Sequence, residues 1–394
     1  MLLVVLNFIF YLLTLWIVFR KRKRVTLGIF LLSCYTAVAF FCILNYNLDP
    51  DQWNLNVIFF VYLYFAVLLL LKPFIDHSYD IHKGSIIANV AFYKNVAWCY
   101  IVLATIACVA YYPVARDAIL NPDWASLYKD AHEETEGTIF TKLANMFFHL
   151  RFLGVTLLFF FLSQKGSGVL LRVALGIMVV LPLCLVTISN ASRGGFIEIF
   201  VVFIVAYIMF RESIPLKYVR ALKIFAGIVV PSAFIYLSAV TIARFEGTGY
   251  AETIADTIII YLGHSMLTFV YGVADTINKF AWGGYMFGFE DASGSGNGTH
   301  FGSGFTTIIG NLYWDFGPVL SILLILLINK FWNKLARRKM GIPEIFLVLT
   351  YSMILYRGIF VLGKGWGVQF VEAFIIYFLL RHFQGKKKKV VVKA

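Results

Sequence analysis

Few positions in this chain carry charge. Lysine, arginine, aspartate and glutamate make up 14% of 394 residues, about half their share in an ordinary soluble domain, while 60% are hydrophobic and 18% aromatic. That scarcity excludes a soluble globular protein, and a mean hydropathy of +0.81 requires much of the surface to face lipid. The alternating pattern of half-buried strands is also absent, and apolar runs reach ~20 residues, so the spans are α-helices and not the strands of a barrel.

Other absences narrow the chemistry. Five cysteines, Cys34, Cys42, Cys99, Cys108 and Cys184, lie within apolar runs and form no C-x-x-C pair; they read as packing residues and say nothing of redox compartment. There is no H-E-x-x-H and no close His/Cys cluster, so no metal and no cofactor is expected. Neither a P-loop nor a G-x-G-x-x-G signature occurs, which argues against energy input from ATP. The first apolar run has no small-residue cleavage site, and its basic cluster Arg20 to Arg24 follows the run instead of preceding it. It is expected to stay attached as a helix with its N-terminus outside.

The expected fold is an all-α polytopic membrane protein, a single integral membrane domain over residues 1–394 with about eleven transmembrane helices. The spans fall near 2–19, 25–44, 54–71, 96–115, 141–163, 171–189, 195–210, 221–240, 305–329, 342–360 and 368–380. With the N-terminus outside, 25 of the 34 basic residues lie in inner loops and seven in outer ones, whereas 14 of the 21 acidic residues lie outside and four inside. This asymmetry predicts a periplasmic N-terminus and a cytoplasmic C-terminus. The net charge of +13 is met by anionic lipid of the inner leaflet, without a nucleic-acid partner. Segment 254–274 is apolar enough to tempt a further span, but crossing would put the bases from Lys330 to Lys339 outside. It is expected as a re-entrant or interfacial helix in a long periplasmic loop, 241–304.

Ionisable groups in or at the edge of a membrane are expensive and mark candidate sites. Arg193 follows Ser189-Asn190-Ala191-Ser192 and precedes Gly194-Gly195, a tight outer turn from which a helix should begin at or just after the arginine. A helix N-terminus offers free N–H groups and a positive dipole end, the glycines leave room, and the guanidinium adds a two-pronged donor. Together they describe a cradle for phosphate or diphosphate; the plainer alternative is an interfacial arginine beside a serine cap. Arg357-Gly358 repeats the pairing at the outer end of the tenth span, with Lys364 in the turn after it, and Arg244 stands at the outer end of the eighth. Arg244 could instead pair with Glu246 or Glu252. Arg151 and Asp315 lie about ten residues into their spans, which suggests either a buried Arg151–Asp315 pair or the wall of a polar cavity; Glu198 and Glu372 are alternative counter-ions. Candidate proton acceptors are His300, at the end of the glycine-rich stretch 294–299, His264 on the predicted re-entrant helix, and Glu246.

Three features together resemble a known family: the Ser192-Arg193-Gly194-Gly195 turn, the long outer loop, and Gly310-Asn311-Leu312-Tyr313-Trp314-Asp315-Phe316-Gly317 opening the helix after it. They resemble the bacterial O-antigen polymerases, oligosaccharide repeat-unit polymerases of the Wzy type. The resemblance implies a glycosyltransferase of the inner membrane that joins undecaprenyl-diphosphate-linked repeat units on the periplasmic face. Donor and acceptor would both be such lipid-linked oligosaccharides, with membrane lipid around them and a chain-length regulator as a further candidate partner. Arg193, Arg244 and Arg357 would steady the departing diphosphate. O-antigen ligases carry a histidine just ahead of the equivalent acidic-x-Gly helix start, where Phe305 and Thr306 stand here, and this departure favours a polymerase. The alternatives are a ligase acting on lipid A core and a flippase or transporter of lipid-linked oligosaccharide. A transporter should show paired halves, and no internal repeat is visible.

Overall fold

The computed structural model describes the chain apart from residues 83, 85, 121–138, 165, 167, 191–192, 225, 228–230, 232–235, 237, 239–253, 273–280, 290–306, 361, 363–364 and 385–394, with backbone alone at 52, 139–146, 193, 254 and 272. Among the described residues the regular structure is helical: α1 Leu2–Arg22, α2 Leu27–Leu48, α3 Val57–Asp76, α4 Val90–Leu120, α5 Ile139–Ser163, α6 Val169–Ser189, α7 Arg193–Phe210, α8 Ile254–Gly272, α9 Gly284–Phe287, α10 Ile308–Ala336, α11 Ile342–Arg357 and α12 Trp366–Phe383. Six of these, α1 to α4, α6 and α10, are long and apolar enough to cross a bilayer, and Phe147–Ser163 and Gly194–Phe210 are shorter apolar helices. The protein is a multi-pass membrane protein. Helices suit that setting because each bonds its own backbone where no water can.

Local sequence sets the helix ends. Thr26, Asn56 and Thr307 cap α2, α3 and α10 by accepting from the backbone N–H of Ile29, Ile58 and Gly310. Helix α1 stops at Lys23, which takes a left-handed conformation (φ 55°), and its last turn holds Arg20, Lys21 and Arg22, where cations meet the negative end of the dipole.

The chain groups into two compact units. Met1–Tyr79, Ala251–Arg338 and Tyr351–Glu372 form the first; Asp80–Tyr250, Lys339–Thr350 and Ala373–Ala394 form the second. In the first, α1, α2 and α3 pack on one another, α8 lies along α2, and α10 lies along α3. Gly263 makes the α8–α2 approach possible, since a methyl there would sit 2.4 Å from the carbonyl oxygen of Phe41. Cys42 donates to the Gly263 carbonyl at 3.0 Å. Thus the segment read as a re-entrant or interfacial element is a helix of 19 residues, about 28 Å long. Its contacts with Asn7, Phe41, Cys42, Trp53 and Tyr62 lie toward the end of the bundle that carries the α2–α3 connection. In the second unit α4 packs along both α5 and α6, and α7 along α5 and α6.

Helix α10 departs from the single span expected at 305–329. It is broken at Gly317 (φ 70°, ψ −178°), ahead of Pro318. Proline disfavours a helical residue before it and supplies no N–H, and only glycine takes this backbone conformation without strain. The freed acceptors are taken up locally. Ala281 N–H donates to the Trp314 carbonyl at 3.3 Å, Trp282 N–H to the Asp315 carbonyl at 2.8 Å, and Ser321 Oγ to the Gly317 carbonyl at 2.6 Å. The expected eighth span, 221–240, lies largely outside the described residues; backbone 216–224 is helical.

Candidate functional site

The turn read as an anion cradle falls in the second unit, where α6 ends at Ser189 and the described part of α7 runs from Arg193, with residues 191–192 outside the described residues. The two glycines that follow do different things. A methyl at Gly194 would meet nothing within 4 Å among the described residues. A methyl at Gly195 would lie 2.2 Å from Thr187 Oγ1, so that glycine serves the packing of α7 on α6 instead of leaving room for a ligand. Thr187 is itself fixed, its hydroxyl donating to the Leu183 carbonyl at 2.6 Å.

Beneath this turn sits the counter-ion that the sequence left open. Arg151 pairs with Glu198: Nε donates to Oε1 at 3.0 Å and Nη2 stands 3.0 Å from the same oxygen. The remaining nitrogen, Nη1, donates to the Phe148 carbonyl at 2.8 Å, and the guanidinium lies 4.6 Å from the Phe152 ring centroid. The two side chains are 14% and 19% exposed. The expected Arg151–Asp315 pair does not form, because each already has nearer partners. The depth assigned to Arg151 also changes. Glu198 is five residues, about 7.5 Å, past the first residue of α7, so its partner lies roughly that far below the turn. The first part of α5 therefore extends beyond the level at which α7 begins. Arg151 is a fixed, neutralised cation that ties α5 to α7.

Asp315 is fully buried in the first unit, and its carboxylate receives the backbone N–H groups of Tyr285 at 3.1 Å and Met286 at 2.9 Å. It caps the short helix α9 and, with the two carbonyl bonds at the Gly317 break, pins residues 281–289 to α10. Neighbouring bonds extend the anchor. The Tyr285 hydroxyl and the Asn311 amide both donate to the Leu362 carbonyl, at 2.9 and 3.3 Å. Burial and the adjacent Asp315 push the Tyr285 hydroxyl above its usual ionisation range, so it stays a donor. Much of the Gly310 to Gly317 stretch therefore reads as a device that holds the end of the long loop.

Arg357 ends α11 and donates to Gln369 Oε1 of α12 at 3.2 Å. The glycine after it belongs to packing: a methyl at Gly358 would lie 2.7 Å from Cβ of Ile308, whose N–H donates to the Gly358 carbonyl at 2.6 Å. His264 packs edge-on against Trp53, with ring centroids 5.2 Å apart. One turn back on α8, Tyr261 stacks on Phe360 at 6.4 Å, three residues past Arg357. Helix α8 thus brings its histidine turn to the corner where α11 ends. Trp53 was missed by the sequence reading; it is 7% exposed and its indole N–H has no hydrogen-bond partner among the described residues. A tryptophan just before an apolar run was the available signal. Arg244, Glu246, His300 and Lys364 lie outside the described residues, as does the side chain of Arg193.

No protein-family model, curated protein or solved structure matches this chain.

Proposed function

We propose that the chain is a membrane glycosyltransferase that polymerises undecaprenyl-diphosphate-linked oligosaccharide repeat units on the periplasmic face of a bacterial inner membrane. The observation that carries this reading is the described opening of α7: helical backbone at Arg193 and Gly194, no described atom over Gly194, and the neighbouring Arg151 already neutralised by Glu198. A helix start of that kind favours an anion, because its first N–H groups have no partners within the helix. The charge asymmetry of the loops supports placing that end outside, away from the basic face.

In the proposed reaction an acceptor hydroxyl oxygen attacks the anomeric carbon of the donor glycan. The bond from that carbon to the diphosphate oxygen breaks, and undecaprenyl diphosphate leaves with the electron pair. The hydroxyl proton passes to a base, for which His264, His300 and Glu246 are the candidates. Arg193, Arg244 and Arg357 would stabilise the charge that grows on the leaving diphosphate, a role suited to a planar two-pronged donor. Trp53 would hold the imidazole of His264 by its edge contact.

A gel of surface polysaccharide from a strain lacking the gene tests this. Single repeats on an intact core are the expected result. A bare core would point to a ligase or flippase and overturn the polymerase reading.

A further inference from the structure

The second unit contains a cavity of about 210 Å³ between α5, α7 and the helical stretch that starts at residue 216. Its walls include Phe159, Ile199, Phe203 and Ile204, with Tyr207 and Lys223 among them. The walls are too apolar to bind a sugar, and the volume falls below that of a pocket for a whole drug-sized ligand; an acyl-chain segment suits both. The cavity lies toward one end of the helices, for Phe159 is four residues from the end of α5 and Tyr207 three from the end of α7. That end carries Arg211, Lys217, Arg220 and Lys223, bases of a face expected to contact the anionic inner leaflet.

The bases there are differently engaged. Arg172 Nη1 donates to the Tyr218 hydroxyl and Nη2 to the Gln164 carbonyl at 3.2 Å, while the Lys217 ammonium lies 4.9 Å from the Tyr218 ring centroid. Lys223 is exposed and lines the cavity. We propose that this groove holds one acyl chain of an anionic glycerophospholipid, with Lys223 facing its phosphate. The site depends on the chain being embedded in a bilayer and is independent of the polymerase reading.

The test is native mass spectrometry on the full-length purified protein, delipidated and then offered phosphatidylglycerol or phosphatidylcholine with identical acyl chains. The wild type should retain one phosphatidylglycerol in clear preference to phosphatidylcholine. Lys223→Ala should cut that preference about fivefold, the amount one lysine near an anionic surface contributes, and Lys217→Ala should change it less than twofold. Ile204→Trp, which fills the groove, should lose both lipids while remaining monodisperse; if it does not stay monodisperse, the two lysine variants decide. Equal retention of the two lipids by the wild type, no effect of Lys223→Ala, or equal effects of both lysine changes would overturn the site. The last outcome would show diffuse attraction by the basic face.

Discussion

Asp315→Asn removes the charge that pins residues 281–289 while leaving the side-chain shape almost unchanged. The carboxylate accepts two backbone N–H bonds, at 3.1 and 2.9 Å, from inside a fully buried position. An amide keeps one oxygen and turns an NH₂ toward the second N–H, so one bond is lost and a buried donor is left facing a donor. A hydrogen bond to a charged group contributes about 1.5–3 kcal/mol, which corresponds to roughly ten- to a hundredfold in a local opening equilibrium. Hydrogen–deuterium exchange of the purified protein should therefore show the amides of Tyr285 and Met286 exchanging at least tenfold faster in the variant. Amides in the middle of α6 should be unaffected. If Tyr285 and Met286 exchange within twofold of the wild type, the carboxylate does not anchor the loop end, and the account of the Gly310 to Gly317 stretch fails.

Arg151→Met leaves Glu198 without its cation. Breaking a fully buried pair costs about 3–5 kcal/mol, and partial exposure of this one lowers the expectation to about 2–3 kcal/mol. In a thermal melt, Arg151→Met should be the least stable, Glu198→Gln milder, and the double variant more stable than Arg151→Met alone; strictly additive losses would show that the two do not interact. The adjacent glycines should separate in the same assay. Gly195→Ala drives a methyl into Thr187 and should cost about 1–3 kcal/mol, whereas Gly194→Ala meets no described atom and should melt within a degree or two of the wild type. Equal behaviour of the two would contradict the packing described.

Hydropathy makes six of the eleven expected spans legible in the sequence as helices long and apolar enough to cross a bilayer, because a helix in lipid must be apolar over a length fixed by the bilayer. The expected ends of α6 match those observed within two residues. Helix α4 runs from Val90 to Leu120, well past the apolar window 96–115, since a helix can continue through polar flanks that hydropathy treats as loop. The Gly317 break was written in the Gly317-Pro318 dipeptide, which the single span expected at 305–329 ran straight through. Partner choice was harder to read. Arg151 had several acids at similar sequence depth, and the decision for Glu198 rests on α5 extending past the start of α7, an offset that linear depth does not encode. Gly194 and Gly195 look alike in sequence, and only the position of Thr187 marks Gly195 as the packing contact.

The most direct test of the central claim is reconstitution of the purified protein in lipid vesicles with an undecaprenyl-diphosphate-linked repeat unit, followed by separation of the products by length. The wild type should yield a ladder of multimers and release undecaprenyl diphosphate. Arg193→Ala should leave the substrate at unit length, and Arg193→Lys should slow the reaction about ten- to a hundredfold, because one point charge replaces two parallel hydrogen bonds. A full ladder from Arg193→Ala, or none from the folded wild type, would contradict the assignment.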